Sequence, residues 1–439
     1  MSVHPQSQVP PSGPALPGSQ GAGGHRRAWQ VVAAVVAVAL LAGVAGVFIG
    51  RITKAGAPKS SLSASWRPLP PAPIAGRIAA SAVWTGKEMI VWGGGMRSGP
   101  VGPASDGAAY NPATRAWRTI APAPAGVRGG AGNNGAAWTG DEIVVWASNS
   151  PDGPVGGAVY DPRADTWRRL PAGPLGKREG YTSVWTGKEL LVLGGNLGDT
   201  IATPTAAAVN PQTGSWRVLK ALAAFKGLMP NGAVWDGREA IVMGRLVRYG
   251  QSEARPILVA YNPATDAVRE IPLPAPSETF GADSAASLKL IGWTGREVVF
   301  STDAAGSIQI IRYNPTVGGW KGVPAGRCHI VDNPAQGRGC RDWRKGPYAP
   351  CAIPVTQYTQ VAWLGDRYVA ACGEDGLQIY SLPTNTWTWR TLTPGPSPLN
   401  SRWDSAIVWT GADLIAWSGT VQKRGNPTPA DGASLTLKG

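Results

Sequence analysis

One short pattern returns seven times along the 439 residues: an apolar stretch ending in tryptophan, a Thr-Gly pair or a close variant of it, and a second apolar stretch. It runs Val83-Trp84-Thr85-Gly86 and on through Met89 to Trp92, then Ala137-Trp138-Thr139-Gly140 and on through Ile143 to Trp146. Further copies carry Trp185, Trp235, Trp293, Trp363 and Trp409, at spacings of 54, 47, 50, 58, 70 and 46 residues. Units this small cannot bury their own apolar faces, so the copies have to stack on one another. Within each unit the glycine supplies the positive φ of a tight hairpin turn. The β-branched runs beside it suit strands. These runs are almost wholly apolar, which predicts burial on both faces.

A second element follows most copies. It is Tyr110-Asn111-Pro112 leading to Trp117, then Tyr160-Asp161-Pro162 to Trp167 and Val209-Asn210-Pro211 to Trp216. It continues as Tyr261-Asn262-Pro263 to Val268 and Tyr313-Asn314-Pro315 to Trp320, with a looser copy from Tyr380 to Trp387. Proline pre-sets φ in a type I turn, and the flanking residues become a third and a fourth strand. Four short antiparallel strands repeated radially describe a β-propeller, which predicts an all-β, seven-bladed β-propeller over residues 63–439. After Trp409 only a match to the third strand remains, Ala433 to Leu437. The missing fourth strand matches Ala64 to Leu69 at the other end of the body, so both ends are expected to share one sheet and leave no open edge.

The seven-residue Tyr-to-Trp offset, with the glycines Gly93-Gly94-Gly95 and Gly194-Gly195 after the second strand, resembles the kelch-repeat family. The resemblance spans residues 63–437; in five repeats the diglycine is replaced, for example by Ala147-Ser148 and Ser418-Gly419. Likeness to the galactose-oxidase type of propeller would imply a copper site of histidines and tyrosines. The chain holds three histidines, His4, His25 and His329, which cannot build it, so no cofactor and no metal is expected. No nucleophile motif, phosphate loop or metal-ligand cluster occurs either, so no catalytic residue is assigned.

Ahead of the repeats, residues 1–28 are rich in Pro, Gly, Ser and Gln and read as a disordered tail. Residues 29–50 then form an apolar transmembrane helix, since the uncharged run Val31 to Gly50 spans about 30 Å at helical rise. Residues 51–62 are a linker. The apolar run is longer than that of a signal peptide, which favours an uncleaved anchor. Basic residues flank both ends, so orientation rests on cysteine. Cys328, Cys340, Cys351 and Cys372 are clustered, mostly within an insert at 323–356, and are candidates for two disulfides; the alternatives are reduced structural thiols or a zinc site with His329, against which the absence of a Cys-x-x-Cys pair speaks. That places the propeller on the extracytoplasmic side of a single-pass cell-membrane protein; the Ala-, Gly-, Pro- and Arg-rich composition suggests a bacterial one.

The formal charge is +14. With no dense Lys/Arg cluster, this points away from nucleic acid and toward anionic surfaces or polymers. Arg77, Arg178 and Arg402 each lie seven residues before a repeat tryptophan, and Arg128 ten before Trp138. Equivalent positions in equivalent blades converge, so these four are the candidate ligand-binding residues, an anion pocket at the channel mouth; the alternative is that each arginine bonds backbone carbonyls of neighbouring blades. The reading that follows is a non-catalytic binding or scaffold module recognising a protein or an anionic cell-surface glycan through one face. The alternative is a carbohydrate-active or cyclase-like enzyme using loop carboxylates such as Glu179, Asp283 and Asp404.

Overall fold

A computed structural model describes residues 63–438, apart from segments 96–103, 130–134, 148–155, 196–205, 248–253, 275–287, 324–328, 334–336, 342–360, 373–375, 383–385, 392–401 and 422–426 and positions 179, 305, 306 and 366. The expected tail, membrane segment and linker therefore lie outside the described residues. Among those described, no helix is long and apolar enough to cross a membrane.

The fold is an all-β propeller. Six blades are each a four-stranded antiparallel sheet of strands consecutive in the chain. Blade 1 runs Ser81–Trp84, Met89–Trp92, Gly107–Asn111 and Ala116–Thr119. Blade 2 runs Ala136–Trp138, Ile143–Ala147, Gly156–Asp161 and Thr166–Arg169, and blade 3 Thr182–Trp185, Leu190–Leu193, Ala206–Val209 and Trp216–Val218. Blade 4 is Leu228–Trp235, Ala240–Leu246, Arg255–Asn262 and Ala267–Ile271. Blade 5 is Lys289–Trp293, Val298–Ala304, Ser307–Asn314 and Gly319–Val323, and blade 6 Val361–Leu364, Arg367–Cys372, Gly376–Ser381 and Thr386–Thr391.

The repeat count leads to seven blades, but the Trp409 copy enters a sheet of different construction. Ala406–Trp409, Asp413–Trp417 and Gly432–Lys438 take their fourth strand, Ser63–Pro68, from the far end of the body. Its register pairs Trp66 with Leu435 and Ala64 with Leu437. First strands of successive blades touch in order, and Ala406–Trp409 touches both blade 6 and blade 1. A second clasp joins the ends: Ser418, fully buried, accepts the Arg77 backbone N–H at 2.6 Å and donates to the Arg77 carbonyl at 2.9 Å.

The core lies between neighbouring blades and is filled by their second and third strands. Leu190 to Leu193 and Ala206 to Val209 have no exposed surface, and their counterparts in blades 1, 2 and 4 are equally buried. The first strands differ from expectation: Ser81–Trp84 and Ala136–Trp138 are half-buried throughout. They form one edge of each sheet, where first strands of neighbouring blades meet one another. The Tyr-to-Trp offset is a cross-strand pair: Tyr110 faces Trp117 and Tyr160 faces Trp167, with ring centroids 5.1 and 4.9 Å apart. The insert holds a small hairpin of its own, His329–Asn333 with Gly337–Arg341, a structure that its irregular sequence did not announce. Cys328 and Cys351 fall outside the described residues, as do the side chains of Cys340 and Cys372.

Candidate functional site

Each first strand begins on one face of the propeller and ends on the other. On the face where it begins, the predicted arginines occupy equivalent places, as expected from their spacing. Arg77, Arg178 and Arg402 are all buried, however, and each is committed to its own blade. In every case Nη1 donates to the backbone carbonyl sixteen residues on: Gly93 at 3.0 Å, Gly194 at 3.0 Å and Ser418 at 3.3 Å. Those acceptors start the segment between second and third strands, where the paired glycines sit. Gly93 and Gly94 have φ of 71° and 85°, and Gly194 and Gly195 have 67° and 85°. Arginine and diglycine are thus two halves of one brace. Two braces add a carboxylate: Asp106 receives Arg77 at 2.6 Å, and Asp431 takes Arg402 in a fork at 2.8 and 3.0 Å. Arg178 also bonds the Gly176 carbonyl at 3.2 Å, and burial lowers its pKa to about 10. Arg128, the fourth candidate, is exposed and does not share this geometry. Of the loop carboxylates, Glu179 and Asp283 lie outside the described residues. Asp404 is exposed, with φ of 57°, and its carbonyl accepts the Ala79 N–H.

The opposite face carries the two turns of every blade. In the first turn, Thr85 Oγ1 accepts the Glu88 N–H at 2.9 Å, and the same bond recurs at Thr139, Thr186 and Thr294. In the second, the Asn or Asp before proline accepts the N–H two residues on, as Asn111 does from Ala113 and Asn262 from Ala264, both at 2.9 Å. A repeated polar chain, missed in the sequence, links these turns from blade to blade. Glu88 forks with Arg118, Arg118 reaches the Tyr160 hydroxyl of the next blade at 3.4 Å, and Tyr160 donates to Asp165 at 2.6 Å. Asp165 then returns to the first blade by accepting the Ala121 N–H at 2.9 Å. Glu189, Arg217, Tyr261 and Asp266 repeat the set between blades 3 and 4. Where Val209 replaces the tyrosine, Arg168 turns instead to the Pro211 carbonyl at 2.6 Å.

The environment tunes these groups consistently. Burial pushes the Tyr261 hydroxyl up to about 12, against the opposing pull of Arg217. Burial alone would raise Asp165, but the bonds from Tyr160 and Ala121 and the charge of Arg118 hold it below the usual carboxylate range. Outer-strand indoles complete the lacing: Trp117, Trp167, Trp216 and Trp320 donate from Nε1 to carbonyls of Pro70, Ala121, Pro171 and Pro272, each belonging to the preceding sheet, at 2.7 to 3.0 Å. The signal for the chain was present in the sequence, as a glutamate four residues after the repeat Trp and an arginine directly after the outer Trp. Its meaning needed the neighbouring blade.

On this turn face the residue after the turn glycine is Lys87 in blade 1 and, on three consecutive blades, Lys188 in blade 3, Arg238 in blade 4 and Arg296 in blade 5. All four are exposed, and none has an ion-pair partner among the described residues. Blade 2 carries Asp141 there, neutralised by Arg163 at 2.7 Å. Among the described residues no three His, Cys, Asp or Glu side chains are grouped to hold a metal. No protein-family model matches the chain, and no curated protein matches it.

Proposed function

We propose that this chain is a membrane-tethered binding module that recognises an anionic cell-surface glycan, without chemistry of its own, through the turn face of its propeller. The observation that carries the reading is the arc of Lys188, Arg238 and Arg296. Three cations stand at one structural position on consecutive blades of a rigid frame, exposed and without neutralising partners among the described residues. Such an array matches a polymer that presents repeated negative charge along an extended chain. In this reading the composite sheet is the seventh blade of a kelch-like ring, residues 29–50 are the anchor, and the propeller stands outside a bacterial membrane with its cysteines paired. The buried arginines of the other face brace its loops, and Arg128 is the member of that set left facing solvent.

The test uses the full chain in lipid nanodiscs and an immobilised acidic polysaccharide such as polygalacturonate. Binding should weaken by about tenfold or more between 50 and 200 mM salt, as multi-contact electrostatic association does. The triple reversal Lys188→Glu, Arg238→Glu, Arg296→Glu should abolish it with no change in melting temperature. Absence of binding by the wild-type chain, or equal binding by the reversal, refutes the reading.

A further inference from the structure

Between blades 3 and 4 the turn face opens into a groove of about 630 Å³. One wall is formed by Thr186, Lys188 and Glu189 and the other by Trp235, Gly237 and Arg238, with Arg217 and Asn262 lining it as well; the Asp236 carboxylate does not line it and accepts the Arg238 and Glu239 N–H groups inside its own turn. The volume falls in the range of small-ligand sites, roughly 300–1,000 Å³. Its polar groups have one character. Glu189, the acid of the groove, is occupied by the Arg217 fork at 3.1 and 2.8 Å. Counting Lys188, Arg217 and Arg238 against Glu189 leaves a formal +2. The Thr186 hydroxyl is spent inside its own turn, on Glu189 and Lys188.

What remains are donors. Lys188 and Arg238 are exposed and without an ion pair among the described residues. Asn262 is 8% exposed, and its Oδ1 is held by the Ala264 N–H, which turns its amide NH2 into the remaining hydrogen-bonding group. The Trp235 indole N–H has no acceptor among the described residues, as holds for Trp84, Trp138 and Trp185 at the same position of other blades; the outer-strand indoles Trp117, Trp167, Trp216 and Trp320 are bonded to carbonyls. Half-buried Trp235 also offers an aromatic surface.

We infer that this groove is a subsite for an acidic sugar residue, with its carboxylate between Lys188 and Arg238 and its ring against Trp235. Ring hydroxyls accept from the Asn262 amide and the Trp235 N–H. The inference rests on the glycan-binding reading above and deepens it. A bare anion would satisfy the two cations but leave Trp235 and Asn262 without a role. A neutral sugar would leave two desolvated cations unpaired.

Trigalacturonate, maltotriose and inorganic phosphate are titrated separately into the full-length protein in nanodiscs by calorimetry. Trigalacturonate should bind, maltotriose should not, and phosphate should compete only weakly. Lys188→Ala and Arg238→Ala should each weaken trigalacturonate by about tenfold, one lost charge-assisted contact. Trp235→Phe, which keeps the packing and removes the N–H, should weaken it by a few-fold. Arg296→Ala, one blade away, should leave the trimer unaffected while weakening the long polymer. Equal binding of maltotriose, full displacement by phosphate, or indifference to Lys188→Ala and Arg238→Ala overturns the subsite. If the polymer binds while the trimer does not, the groove is wrong and the wider reading survives; if the polymer fails to bind, the wider reading has failed.

Discussion

Asp165 sits at the end of the second turn of blade 2 with φ of 53°, in the left-handed region. The same position is Gly214 in blade 3 and Gly318 in blade 5, residues that adopt this φ without cost. If backbone geometry were the only demand, Asp165→Gly would stabilise the protein by relieving about 1 kcal/mol of strain. The structure predicts the reverse. Asp165 Oδ1 accepts both the Tyr160 hydroxyl at 2.6 Å and the Ala121 N–H at 2.9 Å. Hydrogen bonds to a charged group contribute about 1.5–3 kcal/mol each. The side chain is 47% exposed, so water replaces part of this and about 2 kcal/mol remains for the pair. Asp165→Gly should therefore be destabilised by about 1 kcal/mol net and Asp165→Ala, which keeps the strain, by about 2–3 kcal/mol. Unfolding entropy near 2.1 cal/mol/K per residue makes each kcal/mol worth about 1–1.5 °C in a single unit of this size. Scanning calorimetry should rank wild type above Asp165→Asn, then Gly, then Ala, over a range of about 2–4 °C. Because Asp165 is held below its ordinary pKa, the stability it adds is complete above the usual carboxylate range and is lost as pH falls through its folded value. The ranking should therefore compress below about pH 4. A Gly variant that melts at or above wild type would show that the bridge between blades contributes nothing.

Three further outcomes follow from the same frame. Removing Ser63–Pro68 uncovers the Gly432–Lys438 strand and the wholly buried Leu435, so the melting temperature should fall by well over 5 °C, on the order of several lost hydrogen bonds and one core side chain; an unchanged melt would mean the ring is not closed there. Arg178→Ala strands the Gly194 carbonyl in the interior and should cost about 2–4 kcal/mol in denaturant titration, while trigalacturonate affinity, read out at the other end of the strand, stays unchanged. Tyr261, raised to about 12, adds stability that is complete below the ordinary tyrosine pKa and is lost as pH rises through the folded one; Tyr261→Phe should flatten the alkaline melting profile between about pH 10 and 12.

The blade elements were legible along the chain because their signals are local. Trp84-Thr85-Gly86 sets a turn within a few residues, and the offset from Tyr110 to Trp117 is a cross-strand pair set by one turn. Even the shared sheet could be inferred, since Ser63–Pro68 completes a pattern that the other end leaves unfinished. The arginines show where such reasoning stops. Arg77, Arg178 and Arg402 were found by their spacing, but spacing is silent on whether a guanidinium faces a channel or a carbonyl sixteen residues away. Their burial is set by loops whose path no local propensity dictates.

Sequence alone determined the units, their turns and the order in which they stack, because strand and turn formation are decided by neighbours along the chain. Only the tertiary structure decided which polar groups are spent and which remain available. Glu189 and Arg217 satisfy each other, and Lys188 and Arg238 are left without an ion pair among the described residues, because blades apposed in space pair charges that lie tens of residues apart.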